Sequence, residues 1–277
     1  MKWCRFEAET GPSYGVLGDD GSVSAVAGSP FGPHEVESGS SRPLSGVKLL
    51  VPVIPPTFYA AGVNYRLHVT EMAAKNGVEP VFPPAADIGY RANNALIADG
   101  EAIVIPSDAG ESVQYEGELV AVMGRRCKQV SEAEALDAVF GYTIGNDVSE
   151  RSWQQHDRTF WRGKNTDTFK PMGPWIVTGL DPEELSVTIR LNGQEMFTYA
   201  VKDAIFGLAH FISRMSRYLT LYPGDVIWMG TDGATENMKH GDVVEVEIPG
   251  IGVLRNPVVR EGEGDRRLSV VGSQHPG

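Results

Sequence analysis

Cysteine is nearly absent from this chain. Only Cys4 and Cys127 occur among 277 residues. Two thiols cannot build a disulfide framework, so a stapled secreted scaffold is excluded and a reducing compartment is expected. Basic charge is also scarce. The 36 Asp and Glu outnumber the 24 Lys and Arg, leaving a net charge of -12. Nucleic acid and anionic membrane both require a basic face, so neither is expected as a partner. Long apolar runs are missing too: none approaches the roughly 18 residues of a membrane span. The first residues, Met1-Lys2-Trp3-Cys4-Arg5-Phe6-Glu7, carry charges where a signal peptide needs an apolar core. These absences together predict a cytoplasmic protein.

What is present is short strands and turns. Trp3 to Glu7 and Tyr14 to Leu17 read as strands around the turn Gly18-Asp19-Asp20-Gly21. Residues 28–46, rich in Gly, Ser and Pro, read as a linker, so the chain divides into a small N-terminal β domain with its linker (1–46) and a main domain (47–277). In the main domain Phe58 to Val63 reads as a buried strand. Arg66 to Lys75 has helical spacing and is stopped by Asn76-Gly77. Pro80, Pro83 and Pro84 then mark a loop long enough to serve as a lid. Strands dominate after residue 101: Ala102 to Ile105, Val113 to Met123, Phe140 to Asn146, Trp175 to Thr178, Leu185 to Leu191, Val226 to Met229 and Val243 to Ile248. Asn192-Gly193 signals a hairpin. Ser131-Glu132-Ala133-Glu134 is a capping box, and Ala204 to Leu219 has an apolar helical face. Strands and helices that do not alternate predict a β-rich α+β fold.

The chemistry concentrates in two places. In Tyr115-Glu116-Gly117-Glu118 two carboxylates lie two residues apart inside an apolar run. On a strand, residues i and i+2 share a face. Like charges side by side repel unless something positive lies between them. Asp147 ends a second apolar run and offers a third carboxylate. Three oxygen ligands suit a hard ion, Mg2+ or alternatively Mn2+ or Ca2+. His68 and Glu71, three apart on a helical turn, face the same way; a carboxylate holding one imidazole nitrogen makes the other a better base.

Several segments, in one order from about residue 56 to 260, resemble the fumarylacetoacetate hydrolase family. They are Tyr115-Glu116-Gly117-Glu118-Leu119-Val120, Gly141-Tyr142-Thr143-Ile144-Gly145-Asn146-Asp147, Gly163-Lys164-Asn165-Thr166-Asp167, Pro171-Met172-Gly173-Pro174 and Pro223-Gly224-Asp225-Val226-Ile227-Trp228-Met229-Gly230-Thr231. The resemblance implies a mixed β-roll or sandwich with flanking helices behind a small N-terminal domain. It implies that Glu116, Glu118 and Asp147 are metal ligands, that His68 with Glu71 activates water, and that Lys164 stabilises an enolate. Tyr142, Asp167 and Thr231 also match motif positions, and Tyr142 and Thr231, with Arg91 where the family often has Lys, would bind substrate. Arg151 and Gln154 would support the site or form structural ion pairs.

The implied activity is metal-dependent hydrolysis of a carbon–carbon bond in an acylpyruvate-like or other β-diketo acid, with a homodimer as the usual assembly. Oxaloacetate decarboxylation and hydroxydienoate isomerisation are the alternatives; a non-catalytic binding protein fits poorly with a full ligand set. The chain departs from the family pattern in carrying Arg91 for Lys, Lys170 for Cys, Ser152 for Asp and Asp232 for Pro. The resemblance implies that these positions line or border the site, so the departures leave the metal set intact and open the question of substrate.

Overall fold

The central strand of the molecule, Gly117–Met123, is buried along its whole length because both of its faces are covered. The computed structural model describes residues 1–233 and 236–263. Leu119, Ala121 and Met123 pack on one side, in a core shared with Ile189, Val244 and Val246 of a second sheet. Val120 and Val122 pack on the other, with Phe58, Met172, Ile176, Trp228 and Trp3. Each Val, Leu, Ile, Phe or Met among these contributes about 1.5–3 kcal/mol on leaving water.

The large sheet runs, in spatial order, His34–Val36, Ser22–Gly28, Gly11–Leu17, Lys2–Ala8, Lys170–Val177, Val139–Asn146, Gly117–Met123, Val226–Trp228, Phe58–Ala61 and Ile88–Tyr90. Its pairings along this order are antiparallel except that Val226–Trp228 runs parallel to Phe58–Ala61, and Leu96–Ile97 adds a second parallel pairing at its side, on Lys170–Val177. A second sheet orders Ile103–Ile105, Gly252–Arg260, Val243–Ile248, Ser186–Leu191 and Gln194–Ala200. The N-terminal strand Lys2–Ala8 pairs with Lys170–Val177, which joins the N-terminal strands to the main sheet. The fold is a β-rich α+β arrangement, as the strand pattern predicts. Among the described residues no helix is long and apolar enough to cross a membrane.

Three local expectations need correction. Residues 28–46 are more than a linker: His34–Val36 and Arg42–Pro43 both pair with Ser22–Gly28. All three side chains of His34–Val36 are exposed, so no apolar pattern marks the strand. The run Val113 to Met123 is two strands. Val113–Gln114 pairs with Ser149–Glu150, while Gly117–Met123 joins the large sheet. At the break the Asn146 side chain accepts the Glu116 N–H at 2.9 Å, and Asp147 N–H donates to the Glu116 carbonyl at 2.8 Å. The later helix begins at Leu208 and not at Ala204. Ala204 is held in a bridge with Tyr65, and Ile205 N–H donates to Asn64 O, so this stretch is claimed by tertiary pairing.

Other local signals match. Asn192 and Gly193 take φ of 55° and 78° between the hairpin strands. Both arms of the Ser131/Glu134 capping box form. The helix Arg66–Asn76 ends at Gly77, whose φ of 65° is the left-handed turn that glycine takes without strain.

Candidate functional site

Three buried carboxylates meet beside the strand break. Glu116, Glu118 and Asp147 each offer an oxygen within 4.8 Å of the others. Antiparallel pairing makes this possible: Gly117 lies opposite Asn146, so the residues flanking that pair converge. Gly117 must be glycine, since a Cβ there would stand 2.8 Å from Ile189 Cγ1 and 2.9 Å from Val246 Cγ1. The second sheet therefore presses directly on the backbone between the two glutamates.

Four basic side chains surround the carboxylates. Lys164 Nζ lies 2.5 Å from Glu116 Oε2 and 3.0 Å from Asp147 Oδ2. Arg91 forks onto Asp147, with Nη2 2.7 Å from Oδ2 and Nε 3.2 Å from Oδ1. Lys170 Nζ is 2.7 Å from Asp147 Oδ1, and Arg151 Nη1 is 2.6 Å from Glu116 Oε1. Burial disfavours both charged carboxylates. Arg91, Lys164 and Lys170 nevertheless hold Asp147 well below the usual range, and Arg151 and Lys164 bring Glu116 down to about 2.

Glu118 differs. Burial, reinforced by Asp147 and Glu116, pushes its carboxyl up to about 8. Its Oε2 accepts the Gly230 N–H at 2.8 Å, and among the described residues no basic side chain forms an ion pair with it. A buried carboxylate short of positive charge, facing two others, is the arrangement a hard cation satisfies. The donor set fits a divalent ion held by Glu116, Glu118 and Asp147.

His68 and Glu71 both lie on the helix Arg66–Asn76. His68 is half-buried. Burial lowers its pKa, opposed by the nearby charge of Glu116, and Arg151 and Lys164 lower it further. The imidazole is therefore near the carboxylate cluster and neutral at pH 7. Glu71 is exposed, and no hydrogen bond joins it to His68 among the described residues. The helix places the two residues on one side but does not assemble them into a bonded pair.

The three expected substrate-binding residues separate. Arg91 is at the cluster, bonded to Asp147. Thr231 is buried beside Gly230, its hydroxyl within 3.4 Å of Gly233 N and O. Tyr142 is elsewhere. It stands opposite Ala121, whereas Glu118 stands opposite Gly145, so Tyr142 points to the other face of the sheet. There it lines a separate cavity of about 430 Å³ with Leu136, Phe140, Leu180 and Asp181. Burial, with Asp181 and Glu183 close by, raises its hydroxyl pKa. The odd-even alternation of the strand moves Tyr142 away from the carboxylates.

Lys170, one of the departures from the family pattern, is at the site, but sequence reasoning does not anticipate its role as a buried partner of Asp147. It is fully buried, and its Nζ also donates to Val148 O and Phe169 O at 2.8 Å each. Burial lowers its pKa to about 7 against the pull of Asp147. The one available signal is a lysine set between Phe169 and the apolar strand start at Pro171-Met172.

Comparison with known proteins agrees with this geometry. The family model described as fumarylacetoacetate (FAA) hydrolase C-terminal matches residues 57–259, and one described as Rv2993c-like, N-terminal matches residues 1–52. Protein Rv2993c of Mycobacterium tuberculosis is 39% identical over 254 residues, covering 90% of this chain and 93% of its own. The 2,4-didehydro-3-deoxy-L-rhamnonate hydrolase of a Sphingomonas species is 33% identical over 93% of this chain and 96% of its own. A solved structure titled 5-carboxymethyl-2-hydroxymuconate delta-isomerase, from Mycobacterium smegmatis, is 37% identical with a TM-score of 0.84, covering 94% of this chain and all of its own. The similarity thus reaches a hydrolase and an isomerase alike, and it runs through both the N-terminal strands and the carboxylate-bearing sheet: the chain belongs to the fumarylacetoacetate hydrolase family.

Proposed function

We propose that the protein is a divalent-metal-dependent hydrolase that cleaves a carbon–carbon bond in an acylpyruvate or another β-diketo acid. The observation that carries this reading is the buried triad of Glu116, Glu118 and Asp147, with Lys164 against it and a neutral His68 near it. Mg2+ suits an all-oxygen donor set, with Mn2+ or Ca2+ as alternatives. A cation held by Glu116, Glu118 and Asp147 would supply Lewis acidity toward the keto acid. His68 takes a proton from water as the water oxygen bonds to the distal carbonyl carbon. When the carbon–carbon bond breaks, its electron pair passes to the pyruvate fragment, and the Lys164 ammonium stabilises that negative charge until the carbon takes up the proton that His68 removed from water. Arg91, Lys170 and Arg151 hold Asp147 and Glu116 ionised and in place.

One observation favours a second reading. Glu71 is not bonded to His68, so a carboxylate-oriented base for water is not assembled. Oxaloacetate decarboxylation or hydroxydienoate isomerisation uses the same enolate-stabilising groups and needs no attacking water. The test is to incubate the pure protein with acylpyruvates and with oxaloacetate, with and without Mg2+, and to quantify pyruvate, carboxylic acid and CO2. Equimolar pyruvate and carboxylic acid, dependent on Mg2+, supports hydrolysis. Turnover of oxaloacetate alone supports the second reading. No turnover of any keto acid sinks both.

A further inference from the structure

The segment Met229–Gly233 touches both halves of the candidate site. Gly230 N–H donates to Glu118 Oε2 at 2.8 Å. Asn64, at the foot of the helix Arg66–Asn76, donates from Nδ2 to Met229 O at 3.1 Å. Two residues beyond Gly230, Asp232 Oδ1 accepts the backbone N–H of His68 at 3.2 Å. Gly233 closes against the imidazole, where a Cβ would stand 3.1 Å from His68 Nδ1.

The first turn of a helix has backbone N–H groups without intrahelical partners. They are ordinarily satisfied by a side chain at the residue preceding the helix. Here that residue is Tyr65, which makes no side-chain cap. His68 is the third residue of the helix, the position whose N–H a capping oxygen usually takes. The oxygen comes instead from Asp232, 164 residues away in sequence. The same short strap therefore holds a metal-ligand candidate at one end and the candidate base at the other.

We infer that Asp232 is a positioning residue, which caps the helix Arg66–Asn76 from outside and thereby sets His68 against the carboxylate cluster. The inference rests on the reading of His68 as the base. The cap acts through geometry: Asp232 needs an acceptor oxygen at the His68 N–H, and its negative charge adds a favourable interaction with the helix N-terminus. Asparagine at 232 keeps the acceptor, alanine removes it, and glutamate keeps the charge but lengthens the arm by one methylene.

The experiment compares the full chain with Asp232→Ala, Asp232→Asn and Asp232→Glu. Amide exchange is followed in peptides spanning 65–73, and kcat and KM are measured on a cleaved acylpyruvate with Mg2+. In Asp232→Ala, exchange of the first helical turn should rise roughly fivefold, the scale of losing one cap. Its kcat should fall at least as much with KM unchanged, and Asp232→Asn should restore both. Should the alanine variant fail to fold, Asp232→Leu, which fills the space of the side chain without an acceptor oxygen, gives the same pair of readouts. Exchange at wild-type level in every folded variant lacking the acceptor overturns the cap. Asparagine as inactive as alanine, with normal exchange, overturns it too, because the charge would then act directly. If the wild type turns over no keto acid, the proposed function fails alone, and the exchange data still decide whether Asp232 holds His68.

Discussion

Lys170 Nζ lies 2.7 Å from Asp147 Oδ1 and spends its remaining hydrogen bonds on the carbonyls of Val148 and Phe169. Lysine thus acts here as an internal counter-ion, sealed beneath the site. Lys170→Met keeps the length of the side chain but leaves both carbonyls without this donor. Asp147 still has Arg91 and Lys164. The expected loss is about 2 kcal/mol of folding stability, the scale of unmade buried hydrogen bonds, measured by chemical denaturation. An unchanged midpoint would show that the ammonium contributes nothing net.

The two glutamates should respond differently to neutralisation. Glu116→Gln leaves Arg151 beside an uncharged amide and Lys164 with Asp147 as its remaining ion-pair partner, and metal-free protein should melt well below wild type. Glu118→Gln replaces a carboxyl that burial already pushes up to about 8 and that no basic side chain pairs among the described residues, so metal-free protein should melt at or above the wild-type temperature. Both should abolish the gain in melting temperature on adding Mg2+, because each removes an anionic ligand. Thermal melts in EDTA and in Mg2+ check both outcomes. A full Mg2+ response in Glu118→Gln would remove Glu118 from the ligand set.

Burial depresses the His68 pKa below the ordinary 6.5. The unfolded chain therefore binds this proton first as pH falls. The stability His68 contributes is present above pH 6.5 and is lost as pH drops through the folded value. His68→Gln, which stays neutral, should flatten that decline in denaturation series run from pH 7 downward. Hydrolysis by the wild type should persist below pH 6.5, since the base stays unprotonated there, and His68→Ala should lose it by roughly 10²-fold or more.

The segment after the helix exposes Val78, Val81 and Phe82, with Val81 84% exposed. Three prolines keep it out of a sheet. We expect residues 66–85 to close over bound substrate as a lid. Amide exchange there should fall when oxalate, an enolate mimic, is added to the Mg2+ protein. Equal protection with and without oxalate would mean a preformed site.

Exposed Trp161, Tyr218 and Tyr90 leave apolar surface on the single chain. A homodimer is the expected assembly. Sedimentation velocity at micromolar concentration should give twice the chain mass, and a monomer would refute it.

The local signals were legible because they are carried by residues close in sequence. Asn192-Gly193, the Ser131/Glu134 box and Asn76-Gly77 each specify their own turn or cap from side-chain size and hydrogen bonding. Glu116 and Glu118 share their side of the strand by backbone period alone, and the ordered motifs around them identify the family. The tertiary structure decided what depends on register and on long-range partners. Tyr142 left the candidate site because one residue of strand alternation reverses a side chain. Among the described residues Glu71 is not bonded to His68, because helical spacing brings residues to one side without bringing their atoms together. Lys170 and Asp232 took their places through partners contributed by other strands and loops: Asp147 for one and the His68 N–H for the other. No local rule encodes such pairings, because they exist only once the two sheets have packed and the buried charges have been forced to find each other.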